Sequence, residues 1–365
     1  MLFRSSERVA IHLDGAALAV NVGVVRRHAP GARVIGVVKA DAYGHGLKFV
    51  AGHLAGLVDG FAVATVAEGV RLRQLGIDAP AWVLSDFAPA ADMDAVLAHD
   101  LTVVIHERSQ LEAVRDASRP PRSVVVKIDS GMGRLGFDPA ELVEVVGALR
   151  AAGINSVRVM SHLACADDPA DPATADQLQC FEAAVAGLGL ERSLANSAGV
   201  VAFRGAGSDW VRPGIMLYGA SPVIGVAAGT LGLEPVMTLT TRILAIRRFA
   251  KGHRVGYGGT YTCTRDSVAA VLACGYGDGY PRHAPTGTPV RFAEGSGSLI
   301  GRVSMDSMVV DVTDLGEIDP VQRPVLWGRG LPVEEIAERA GTISYELFCR
   351  LAPRPASREV CGGGA

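Results

Sequence analysis

No two cysteines in the sequence stand in a CxxC pair. The six that occur, Cys165, Cys180, Cys263, Cys274, Cys349 and Cys361, are scattered along the chain. Such spacing argues against a zinc site or a disulfide framework and leads to the expectation of a reducing, cytoplasmic compartment. No window approaches 18 uncharged apolar residues, so no membrane span is expected. The opening MLFRSSERVAIHLDG has no apolar core of signal-peptide length. There is no basic run, and the net charge is −3, which disfavours nucleic acid or an anionic membrane as the main partner. Internal repeats and low-complexity linkers are absent as well. The closing REVCGGGA reads as a frayed end.

What the chain does have is bulk and apolar content. It has 365 residues, 49% hydrophobic and 20% charged, enough for two well-buried domains. Eight short apolar runs recur in the first 230 or so residues, at 32–39, 60–66, 80–86, 101–106, 122–129, 155–162, 192–198 and 208–214. Patterns such as AEGVRLRQLG, DPAELVEVVGALRAAG and ADQLQCFEAAVAGLGL lie between them, with apolar residues three and four apart as amphipathic helices require. Nearly continuous apolar strands alternating with helices imply a parallel sheet covered on both faces. Eight of them fit a closed (β/α)8 barrel, with a doubly wound open sheet as the rival. After residue 232 the texture changes to β-segments separated by glycine-rich turns, with one helix, LPVEEIAERAG. The expected division is an α/β barrel domain over 8–232 and a mostly-β domain over 233–365, joined by the first few N-terminal residues.

The segment VVKADAYGHG ends an apolar run on Lys39. A lysine there is either a rim residue with its ammonium in water or a desolvated amine able to condense with an aldehyde cofactor. In a barrel the active site lies at the C-terminal strand ends, and other candidate ends are polar too. Run five ends in KIDSGMGRLGF, with Lys127, Asp129 and Arg134; run six ends in His162. Run seven ends in ANSAG, with Ser197, and run eight in RPGIMLYG, with Arg212, Gly214 and Ile215. The last two loops, small and rich in backbone N–H, suit a phosphate.

Taken in order, VVKADAYGHG, KIDSGMGRLGF, ANSAG, RPGIMLYG, VGYGGTY, GYGDGYPR and GRVSMD resemble the alanine racemase family over nearly the whole chain, from about residue 8 to 350. The resemblance implies a pyridoxal 5′-phosphate enzyme that interconverts L-alanine and D-alanine by two bases and supplies D-alanine for peptidoglycan. Lys39 would hold the cofactor and act as one base, and Tyr257 would be the other. Tyr43 would line the cofactor site and reach the phosphate, which Ser197, Gly214 and Ile215 would cradle. Arg134 would meet the cofactor's phenolic oxygen and the substrate carboxylate. Lys127 would carry a carbamate that orients Arg134. Arg212 would face the pyridine nitrogen, with His162 beside it. Tyr276 and Met305 would shape the substrate entrance. The resemblance also implies a homodimer in which Tyr257 and Met305 serve the neighbouring active site.

The chain departs from the family pattern at Pro353, where many members carry a phosphate-contacting tyrosine, and at Ser304, often a cysteine. Lysine and tyrosine ordinarily titrate near pH 10, so both bases need tuning, and Arg134, Arg212 and His162 are the cations expected to do it. Other functions on a related plan are a broader serine/alanine racemase, a pyridoxal-phosphate decarboxylase of basic amino acids, and a non-catalytic pyridoxal-phosphate-binding barrel.

Overall fold

The computed structural model describes residues 7–351 and 356–361, the latter as backbone only. The chain falls into two compact units. One holds Leu18–Leu217 and Ser221–Leu233. The other holds the described residues up to Ala17, Tyr218–Ala220 and those from Glu234 on.

The chain enters through β1 (Val9–Asp14) of the second unit and then builds eight parallel strands: β2 (Arg33–Val37), β3 (Gly60–Thr65), β4 (Ala81–Asp86), β5 (Thr102–Ile105), β6 (Ser123–Lys127), β7 (Ser156–Met160), β8 (Glu191–Ser193) and β9 (Trp210–Val211). They pair in sequence from β2 to β8, and β9 pairs back onto β2. Between β8 and β9 the ring closes on a parallel bridge, Asn196 to Arg212, and on the Arg212 N–H to Ala195 carbonyl bond of 2.9 Å. This is the barrel, not the open sheet. β5 and the centre of β6 are buried throughout, because helices cover the outer face while side chains fill the lumen. β8 and β9 are far shorter than the apolar runs that announced them. Past Ser193 the chain leaves the ladder, and Asn196 caps the helix Ser197–Ala202 by accepting the Gly199 N–H at 2.9 Å.

The second unit is a nine-stranded sheet. Its later strands are β10 (Met237–Thr241), β11 (Ile243–Phe249), β14 (Ser267–Leu272), β15 (Pro289–Arg291), β16 (Ser296–Leu299), β17 (Met308–Asp311), β18 (Val325–Trp327) and β19 (Ala356–Cys361). A separate ribbon pairs β12 (Arg254–Val255) with β13 (Tyr261–Thr262). All of its pairs are antiparallel except β1 with β19. Two expectations change here. The C-terminal segment is not frayed through Cys361, since its backbone runs as a strand beside β1 from Ala356 to Cys361. Among its described residues the unit also has two α-helices, Val333–Arg339 and Ser344–Cys349; the second, a turn and a half long, is too short to leave a helical periodicity in the sequence.

At the N-terminal end of the barrel, Glu191 ties four strands together. Arg33 and Arg158 (2.8 Å) pair with its carboxylate, Trp210 donates its indole N–H at 3.0 Å, and the Arg33 guanidinium lies 4.0 Å above the Trp210 ring. Desolvation alone would raise the Glu191 pKa, but the hydrogen bonds from Arg33, Trp210 and Arg158 outweigh it and bring the pKa down to about 2. A depressed carboxyl pKa stabilises the fold above the group's unfolded value and loses that contribution as the pH falls towards the folded one. Glu191→Gln is therefore expected to melt a few degrees below the parent at pH 7, with a flatter decline in Tm between pH 5 and 3. Parallel acid-melting curves for the two proteins would disprove the assignment.

Candidate active site

Lys39 lies two residues beyond β2, and the backbone that follows it is unusual. Ala40, Asp41, Ala42 and Tyr43 have φ of 54°, 51°, 56° and 51°, a full left-handed turn without a glycine. Each such residue costs about 1–2 kcal/mol, and left-handed residues ordinarily occur singly. Surrounding bonds hold the run in place. The Ala42 N–H donates to the Val38 carbonyl (2.9 Å), that of Gly44 to Ala40 (3.0 Å) and that of Gly46 to Asp41 (2.9 Å). The Ala40 N–H donates to Glu68 Oε1 at 2.7 Å, and the Leu47 N–H to Asp41 Oδ1 at 2.7 Å.

Lys127 ends β6 and is buried. Neither it, nor Arg134, nor Arg212 makes a salt bridge among the described residues. Desolvation, then the charges of Arg134 and Arg212, push the Lys127 pKa down to about 8, against a smaller opposing pull from Asp129. The Asp129 carboxylate is otherwise engaged. Its Oδ1 accepts the N–H groups of Gly131, Met132 and Gly133 at 2.8–3.1 Å, and its Oδ2 accepts that of Arg134 at 3.0 Å. It therefore folds the glycine-rich turn that presents Arg134. Arg212 is held by Ser193 Oγ (2.6 Å) and by the carbonyls of Ser161 (2.7 Å) and Leu194 (3.3 Å). Burial lowers its pKa to about 10, still charged at neutral pH. His162 corrects an expectation. Burial, with Arg212, Lys127, Arg134 and Lys39 nearby, drives its pKa to about 3, so it is a neutral imidazole and not one of the tuning cations.

Near these groups Ser197 Oγ accepts the Gly214 N–H at 2.8 Å. A Cβ on Gly214 would come within 2.4 Å of Tyr43 Oη, so only glycine leaves room there. Ile215, fully buried, opens the short turn Ile215–Tyr218. Tyr43, Ser197, Gly214 and Ile215 thus form a cradle of small residues and hydroxyls. Lys127, Arg134 and Arg212, which make no salt bridge among the described residues, call for anions. A phosphate, a phenolate and a carboxylate supply them, so the residues present fit pyridoxal 5′-phosphate with an amino-acid substrate.

The second unit presents the remaining candidates. Tyr257 is 69% exposed, on a turn clamped by Arg254, which donates to the carbonyls of Gly258 (2.9 Å) and Gly259 (3.2 Å). Tyr276 and Met305, 40% and 50% exposed, sit on two loops joined by the Tyr276 N–H to Ser304 carbonyl bond (3.0 Å) and the Gly277 N–H to Met305 carbonyl bond (2.9 Å). A Cβ at Gly275 would approach the Ser304 carbonyl oxygen to 2.2 Å, so the loops meet only because that residue is glycine. Pro353 lies outside the described residues.

Sequence reasoning missed several supporting groups. Gln177, on the helix Ala173–Val185, donates to the His162 carbonyl (2.9 Å) and accepts the Ala164 N–H (2.8 Å). His106, beyond β5 and near Lys127, has a buried Nδ1 without a hydrogen-bond partner among the described residues. Glu68 was legible only as a helix-capping signature, Thr65 followed three residues later by a glutamate.

A parallel barrel with an amine at one strand end, buried cations at others and a cradle of small residues and hydroxyls beside them has the makings of an enzyme for a small anionic substrate with an anionic cofactor. Comparison with known proteins narrows this to one family. Residues 13–222 match the family model "Alanine racemase, N-terminal domain", and residues 236–358 match "Alanine racemase, C-terminal domain". The chain belongs to the alanine racemase family of isomerases. It is 48% identical over 357 residues to the alanine racemase of Thioalkalivibrio sulfidiphilus, covering 96% of this chain and 98% of that one. The structure of the biosynthetic alanine racemase of Pseudomonas aeruginosa matches with a TM-score of 0.93 at 40% identity, over 98% of this chain and 100% of that one. That of the Bartonella henselae alanine racemase, with covalently bound pyridoxal phosphate, matches at 0.86 and 26%, over 97% and 99%.

Asp129→Ala is expected to release the four N–H groups of the Arg134 turn, lowering Tm by several degrees and accelerating amide exchange at 131–134 above the rest of the barrel. Unchanged exchange at those four amides would show that the turn holds without the carboxylate.

Proposed function

We propose that this chain interconverts L-alanine and D-alanine, with pyridoxal 5′-phosphate held by Lys39, in a cytoplasm where D-alanine feeds peptidoglycan. The observation that carries the reading is the set of cations that make no salt bridge among the described residues, Lys127, Arg134 and Arg212, beside Lys39 and the glycine-only cradle at Gly214. When bound, the cofactor supplies an electron sink for the charge left on Cα.

The protein's own residues do the rest. Tyr43, Ser197, Gly214 and Ile215 hold the phosphate. Arg134 binds the substrate carboxylate and the phenolic oxygen. Arg212, charged at neutral pH, donates to the ring nitrogen and keeps that nitrogen unprotonated, which favours racemisation over decarboxylation. His162, neutral, stacks no further charge on the cluster. Lys39 exchanges the proton on one face of Cα. Tyr257, from a second copy of the chain in a homodimer, exchanges it on the other, and Met305 and Tyr276 border the entrance. Arg134 and Arg212 favour the deprotonated forms of both bases.

Lys127 adds a charge-balancing step. With its pKa near 8, a fraction of the amine is neutral at physiological pH. Its lone pair attacks carbon dioxide, a C–N bond forms as one C–O π bond opens to an oxyanion, and the displaced proton leaves to solvent. The carbamate places a negative charge beside Arg134.

Lys39→Ala is expected to lose both racemisation and the visible absorbance of lysine-held cofactor. Tyr257→Phe should keep the absorbance and lose racemisation by on the order of 10²- to 10⁴-fold, chiefly by blocking proton removal from L-alanine. Chiral chromatography and solvent-deuterium exchange read both; wild-type exchange from L-alanine in Tyr257→Phe would overturn the two-base assignment. For Lys127, intact-protein and peptide mass spectrometry at neutral pH should show a gain of one carbon dioxide, lost on acidification. A bare lysine in protein kept under bicarbonate would remove the carbamate.

A further inference from the structure

We propose that Glu68 is a positioning residue for Lys39: its carboxylate ties the left-handed turn that aims the lysine to the neighbouring strand end. This rests on reading Lys39 as the amine that holds the cofactor.

The argument starts from the backbone. β2 and β3 run side by side in parallel, Val37 opposite Ala62, and the Val38 N–H donates to the Ala62 carbonyl at 2.8 Å. The two strand ends therefore leave the barrel together. After β2 the chain enters the strained turn Ala40–Tyr43; after β3 it enters the helix Val66–Gln74. Glu68, at the third position of that helix, divides its two oxygens between them. Oε2 accepts the N–H groups of Ala64 (2.8 Å) and Thr65 (3.3 Å), closing a capping box whose other half is Thr65 Oγ1 accepting the Glu68 N–H at 3.1 Å. Oε1 reaches across to the Ala40 N–H at 2.7 Å.

An ordinary capping glutamate satisfies its own helix. This one also fixes the first peptide after Lys39, at the entrance to four consecutive left-handed residues. Without that acceptor, the turn has a lower-energy route back to the right-handed region, which would rotate the Lys39 Cα–Cβ bond away from its present direction. A carboxylate suits the role because both oxygens are pure acceptors, facing N–H groups on two sides. An amide of the same size serves only one side, since its NH2 would face a donor.

Thr65→Ala provides the control. It breaks the same capping box and costs helix stability, but leaves the Ala40 bond untouched. Glu68→Ala, Glu68→Gln and Thr65→Ala would be compared in two measurements well below their melting temperatures. The first is amide exchange at Ala40 in the cofactor-free protein. The second is titration of the cofactor-free protein with pyridoxal phosphate, followed by absorbance. Glu68→Ala should accelerate Ala40 exchange at least 100-fold and weaken pyridoxal phosphate retention at least tenfold, with Glu68→Gln between it and the parent. Thr65→Ala should stay within twofold on both. Equal effects in the Thr65 and Glu68 variants, or none in the Glu68 variants, would overturn the proposal. If Glu68→Ala does not fold, Glu68→Gln against Thr65→Ala decides by the same criterion. The exchange arm reads the brace without cofactor. Failure of the parent to take up pyridoxal phosphate would instead sink the functional reading and leave the exchange result standing.

Discussion

Lys127 is buried, the charges of Arg134 and Arg212 make its own still costlier, and no carboxylate among the described residues forms a salt bridge with any of the three. That unbalanced positive charge, partly out of water, is the constraint on which the site depends. Buried charge without a counter-charge is expensive. The barrel tolerates it because Arg212 is solvated by a serine hydroxyl and two carbonyls. The nearest candidate counter-charge, Asp129, spends its acceptors on backbone N–H groups instead. The pocket is thereby left short of negative charge, and a phosphate, a substrate carboxylate and a lysine carbamate each meet that deficit. His162 is neutral first because it is buried, and the surrounding cations reinforce that burial.

The same economy governs the backbone. A left-handed turn of four ordinary residues does not persist on its own propensity. Backbone carbonyls and the Glu68 carboxylate accept amides at its start and end, and the Asp41 carboxylate accepts that of Leu47. The opposite end of the barrel is built differently. There the Glu191 carboxylate is fully engaged, bridging two arginines and accepting an indole N–H. At one rim the carboxylate and its arginines are paired by the barrel's own side chains and the other is left needing a ligand, which is the usual partition of a parallel barrel into a stability face and an activity face.

Much of this was legible in the residue order. The eight apolar runs alternating with helical patterns point to a parallel barrel, because burial on both faces forces near-continuous apolar strands. Polar residues at their C-terminal ends mark the rim, and the glycine-rich texture past residue 232 marks the second unit. The lengths of β8 and β9 were not legible, because an apolar run looks the same whether it stays in the ladder or turns aside into a cap. Nor was the strand Ala356–Cys361, whose partner β1 lies more than 340 residues away in the chain.

By itself, then, the order of residues determined the periodicities, the rim chemistry and the family, all of which are local patterns repeated along the chain. Only the tertiary structure decided the protonation of His162, the engagement of Asp129, the sense of the turn after Lys39 and the second hydrogen bond of Glu68. Each of these depends on which groups from distant segments converge, on how far water is excluded from them, and on whose acceptors are already taken. Charge, strain and hydrogen-bond saturation are properties of a neighbourhood, and the neighbourhood exists only once the strands have closed into a ring.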